Sequence, residues 1–173
     1  NRQYLADQIL DILRKRFSVG VEAGTLYDMS HISINREKHG AGYLWVHRSG
    51  ASRAFPQGTL GNNSPFNSTG EPVFLPGSMG DSTYLCVSQE GNSKTFFSAG
   101  HGAGRRRQDD IGPCAGNTEE LKKKLLGRNI RMYKGTSKGI IRQDPNCFKD
   151  IEATIRVYQD MGLLTPVVRL RPV

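Results

Sequence analysis

Glycine recurs so closely between residues 20 and 116 that a long helix has little room there. Six glycines fall between residues 40 and 70 alone, and the chain holds 20 in 173 residues. Glycine reaches φ > 0 without steric cost and is worth about 1 kcal/mol less than alanine inside a helix. Such a stretch reads as short strands joined by tight turns. The strand candidates, rich in β-branched and aromatic residues, are Thr25–Tyr27, Ile32–Ile34, Tyr43–His47, Val73–Leu75, Thr83–Ser88 and Lys94–Ala99. The last two flank Gly91-Asn92, a hairpin-like turn, and Gly20 with Gly24 marks another. Residues 50–70, dominated by Gly, Ser, Asn, Pro and Thr, are expected to form a long flexible loop.

Helical periodicity survives only outside this region. Over residues 3–17, Leu5, Ile9, Leu10, Ile12, Leu13 and Phe17 share one face. Asn117 with Glu120 fits a cap and its reciprocal acid, opening a helix that ends at Gly127. Phe148–Met161 is a further helix stopped by Gly162, and Asn129–Tyr133 and Pro166–Leu170 read as strands. The sum is one domain over residues 1–173, mixed α/β and irregular. Without βαβ alternation it is not a Rossmann sheet.

The charge narrows the partners. Lys and Arg number 24 against 16 Asp and Glu, a net +8, and such a surface attracts phosphates at long range. Many basic proteins bind no nucleic acid, so charge alone does not decide. Three separated cysteines, Cys86, Cys114 and Cys147, form neither a disulfide framework nor a zinc knuckle and fit a reducing, cytoplasmic setting. No apolar run is long enough to cross a membrane. The opening residues lack an initiator Met and a signal-peptide core, so the chain is expected to derive from something longer.

Four stretches could carry chemistry. Gly100-His101-Gly102-Ala103-Gly104-Arg105 follows a strand candidate, leaving an imidazole approachable among small residues, backbone N–H groups that could nest an anion, and arginines at 105 to 107. A glycine-rich turn with a surface histidine and solvated arginines explains it as well. Pro76-Gly77-Ser78-Met79-Gly80, running on to Thr83, could be a nucleotide loop or an ordinary turn. His31, after Asp28, could ligate a metal or simply be a hydrogen-bonded structural histidine. His47-Arg48 to Arg53-Ala54-Phe55-Pro56 interleaves arginines with aromatics, as a phosphodiester site would, or as a strand edge would.

In this order the four stretches resemble the RtcB family of RNA ligases, over essentially the whole chain. The resemblance implies an RtcB-like fold of which this is the C-terminal portion. It also implies an enzyme that uses GTP and Mn²⁺ to join an RNA 3′-phosphate, or 2′,3′-cyclic phosphate, to a 5′-hydroxyl. It makes His101 the nucleophile that carries guanylate and His31 a manganese ligand. Pro76, Gly77, Ser78, Met79, Thr83, Gly102, Ala103 and Gly104 become contacts for GTP, and Arg48, Arg53 and Arg105 contacts for RNA phosphate. Its other metal ligands are expected in an N-terminal half, the implied partner besides RNA. The chain departs from the family pattern at Ile32, Ser49 and Thr83, along Arg106-Arg107-Gln108-Asp109, and in stopping at Val173 before a family lysine. Those departures keep open a degenerate relative that binds RNA or nucleotide without ligation.

Overall fold

A computed structural model describes residues 1–17, 22, 24–107, 117–133 and 137–173. It is a mixed α/β structure of small antiparallel sheets and short helices. Helix α1 (Arg2–Arg16) precedes a long hairpin, β1 (Ile32–His39) with β2 (Gly42–Ser49). The register runs from Ile32↔Ser49 to His39↔Gly42, and Gly40 at φ 59° makes the turn. Strand β3 (Ala51–Arg53) pairs antiparallel with β6 (Ser98–Gly100). Strands β4 (Pro72–Pro76), β5 (Thr83–Ser88) and β7 (Leu164–Leu170) form the third sheet, with β5 central.

That central place follows from the sequence of β5. Its residues alternate between fully buried and half-buried, as a strand with one face on a core requires. Val73, Leu75, Cys86 and Leu164 close the core from the sheet, and Ile151 and Ile155 cover it from helix α4 (Ile151–Asp160). Full burial of such a side chain stabilises the fold by about 1.5–3 kcal/mol. Helix α2 (Thr118–Leu126) builds a second cluster through Leu121, Leu125 and Ile130, against which Met79, Met132 and Ile140 of α3 (Ser137–Ile141) pack. The Asn117 cap is as anticipated, accepting from the Glu120 N–H at 2.9 Å, and Asp150 caps α4.

Several expectations are corrected. Thr25–Tyr27 and Asn129–Tyr133 are irregular, not strands. Lys94–Ala99 is not one strand hairpinned to β5. Glu90–Thr95 forms a 3-10 turn, and Phe96 and Phe97 are left-handed at φ 54° and 49°. The physical reason is Asn92, fully buried, whose amide donates to the Ala54 carbonyl at 2.7 Å and pulls the segment off the ladder. What remains is the three-residue β6. The stretch 50–70 is likewise not wholly loop: β3 begins it, and turns such as Gly58 N–H to the Asn67 carbonyl hold the rest. Helix α4 starts at Ile151 rather than Phe148 because Asp150 caps it. Gly20, Gln108, Asp109 and Cys114 lie outside the described residues.

Candidate active site around His101

β6 ends at Gly100, and the ladder it forms with β3 continues weakly as His101 N–H reaches the Gly50 carbonyl. The same carbonyl meets the His101 side chain, with Nδ1 at 2.6 Å. A carbonyl oxygen can only accept, so Nδ1 carries the proton. In the neutral ring the lone pair then belongs to Nε2. Gly50 holds φ 74°, a left-handed conformation that favours glycine, and the imidazole packs against its Cα side. Its own N–H donates to the His31 carbonyl at 2.8 Å. The two histidines are consequently side by side, rings stacked with centroids 4.8 Å apart and planes 12° apart. Both are exposed.

The glycines after His101 serve close packing as well as openness. A Cβ on Gly102 would fall 2.9 Å from the Pro76 carbonyl. That carbonyl takes the Ala103 N–H at 2.9 Å, so Ala103 is not part of an anion nest as anticipated. The contact joins the His101 loop to the Pro76 loop. Between them opens a cavity of about 400 Å³, lined by Pro76, Gly77, the stretch 101–104, Arg105 and Phe148. Arg105 lies over the Phe148 ring, its guanidinium carbon 4.7 Å from the centroid, and donates to the Arg142 carbonyl.

The family model described as tRNA-splicing ligase RtcB matches residues 1–173. The chain belongs to the RtcB family. It is 34% identical to the tRNA-splicing ligase RtcB of Nanoarchaeum equitans over 168 residues, 94% of this chain and 35% of that protein. Against the Thermococcus kodakarensis tRNA-splicing ligase RtcB it is 29% identical, with 99% and 37% covered. Against the Mycobacterium bovis RNA-splicing ligase RtcB it is 33% identical, with 99% and 40% covered. The chain thus spans between a third and two fifths of the length of these RtcB relatives.

The other residues read from sequence are placed as follows. Ser78 lies beside the cavity rather than in it, donating to the Asp81 carboxylate at 2.5 Å. Met79 turns to the α2 cluster, and Thr83 opens β5 opposite Pro76. Arg48 is corrected: its side chain is 1% exposed and engaged by both Glu37 oxygens, Ser98 and the carbonyls of Phe96 and Phe97, which leaves no face for RNA. Arg53 binds the buried Glu71 and keeps part of its guanidinium exposed. Arg106 donates to the Phe148 carbonyl. Asp28 is held by Arg2, whose hydrogen bond and charge keep its carboxyl below the usual range.

Sequence reasoning passed over Gly50 and Tyr158. The Tyr158 hydroxyl accepts the Gly100 N–H at 2.9 Å, bracing the residue before His101 from α4. Only a strand register could have paired residue 50 with residue 101. Among the described residues no three His, Cys, Asp or Glu side chains gather into a metal-holding group. His31 can therefore supply one corner of a coordination shell and no more.

Proposed function

We propose that the chain is the part of a GTP- and Mn²⁺-dependent RNA ligase that carries guanylate on His101. The observation that carries this reading is the Nδ1–H to Gly50 carbonyl bond, which leaves Nε2 as the nucleophile beside a cavity rimmed by glycine and Arg105. Nε2 attacks the α-phosphorus of GTP; the N–P bond forms, the bond to the β-phosphate oxygen breaks, and pyrophosphate leaves. The Gly50 carbonyl stabilises the positive charge that the ring acquires. An oxygen of an RNA 3′-phosphate then attacks the same phosphorus, releasing His101. A 5′-hydroxyl next attacks the activated RNA phosphate, expelling GMP and closing the phosphodiester as its proton is lost. Mn²⁺, held through His31 and ligands from elsewhere, would neutralise phosphate charge as a Lewis acid.

The rest of the enzyme is the proposed partner. Tyr4, Leu5, Ile9 and Ile12 on α1, with Ile32, Ile34 and Trp45 on the hairpin, are all more than half exposed, and the relatives are longer. The buried free thiol of Cys86 suits a cytoplasmic setting. No helix among the described residues is long and apolar enough to cross a membrane. A second reading, binding without ligation, draws on Ile32, an exposed aliphatic side chain next to His31. One experiment separates them: the full-length chain with α-labelled GTP and Mn²⁺. An acid-labile label that His101→Ala abolishes supports the ligase; RNA binding with no label supports the second reading.

A further inference from the structure

We infer that an RNA strand whose end lies at His101 runs along the β3–β6 ladder into a cleft at its far end, resting bases on Phe55 and Phe97 and phosphates beside Arg36 and Lys38. This rests on the ligase reading and adds the path of its substrate. The ladder is a ruler between two places. His101 closes one end on Gly50, and the pairs Ala51↔Gly100, Ser52↔Ala99 and Arg53↔Ser98 follow. The Ala54 N–H then donates to the Phe97 carbonyl at 2.8 Å. From Gly50 to Ala54 the strand advances roughly 13 Å, a distance that a few nucleotides span.

At that end lies a cleft of about 520 Å³, lined by Arg36, Lys38, Arg53, Phe55, Leu60 and Phe97 among others. The Phe55 and Phe97 rings meet at 4.7 Å; Arg53 lies over Phe55 at 5.6 Å and His39 stacks on Phe97 at 5.2 Å, so both stay half-buried and a base would rest against the ring edges left exposed. The carboxylates nearby are already answered, Glu37 by Arg48 and Glu71 by Arg53, so the cleft keeps a positive balance. Arg36 lies over the Tyr43 ring, an arrangement that leaves its N–H edge available, and Lys38 is exposed. Half-buried aromatic rings beside cations, joined by a ladder to the reacting histidine, are what a single strand of nucleic acid needs and what a small ligand does not.

The test uses the full-length chain and its Arg36→Ala/Lys38→Ala double variant. Guanylylation is followed with labelled GTP, and RNA binding by fluorescence anisotropy. The probes are single-stranded RNAs of two and of eight nucleotides, ending in either 3′-phosphate or 5′-hydroxyl. The variant should guanylylate normally and bind the two-mer as before. It should bind the eight-mer more weakly, its slope of log affinity against log salt reduced by about 1.4. Whichever terminus shows the loss identifies the strand. Unchanged eight-mer affinity, an equal loss for the two-mer, or equally tight binding of a poly-glutamate peptide would overturn the path while leaving the ligase reading intact. Absence of guanylylation in the unsubstituted protein would overturn that reading instead.

Discussion

Arg48 of β2 reaches along the hairpin to Glu37 of β1, its two terminal nitrogens on the two carboxylate oxygens at 2.6 and 2.8 Å, with almost no solvent. Taking away one member strands the other charge in a dry site. Arg48→Ala should cost about 3–5 kcal/mol in urea unfolding, whereas replacing the pair by apolar residues of similar volume should be close to neutral. Cys86 is the second telling residue. Burial pushes its thiol up to about 11 from the ordinary 9.0. A raised value means that the neutral form belongs to the fold. The stabilisation is complete below pH 9 and fades as pH climbs toward 11, where the unfolded thiol ionises first. At pH 8 iodoacetamide should therefore leave Cys86 untouched in native protein and alkylate it in urea, as mass spectrometry would report.

Helix α4 does two jobs. Its buried face, Ile151 and Ile155, covers the β4–β5–β7 sheet, and Tyr158 reaches beyond that core to the Gly100 N–H. The element thereby couples the core to the turn that presents His101. Tyr158→Phe keeps the ring and removes the acceptor, which should cost about 1 kcal/mol of stability. On the ligase reading it should also slow guanylate transfer to His101 while leaving nucleotide affinity nearly unchanged. Equal rates with and without the hydroxyl would reduce Tyr158 to packing. The hairpin shows the opposite case. β1 and β2 read correctly as strands from composition but run longer than the β-branched residues alone marked, because Arg36, Glu37 and Lys38 continue the alternation with polar side chains.

At the scale of the molecule, buried and unburied apolar surfaces are segregated. Leu75 sits wholly inside the sheet core, while α1 is amphipathic yet has no buried residue. Leu75→Ala should lower stability by about 2–5 kcal/mol through its cavity. Ile9→Lys should leave thermal unfolding of the 173-residue chain within about 0.5 kcal/mol, since the Ile9 side chain is 57% exposed. In the full-length protein the same lysine should be strongly destabilising if the remainder of the protein packs there. Calorimetry on both lengths makes the comparison.

What local chemistry alone could decide, the residues did declare. The Asn117 cap set the start of α2, alternation marked β5, and small residues around His101 marked an open imidazole. Tertiary pairing decided the rest, because it depends on contacts across tens of residues that no local pattern encodes. Asn92 bonds to Ala54 and breaks the anticipated strand, Glu37 claims Arg48, and Gly50 meets His101 to fix which nitrogen is bare. A motif names the atoms that can react, but the partner carbonyl that chooses the tautomer arrives only when the chain folds.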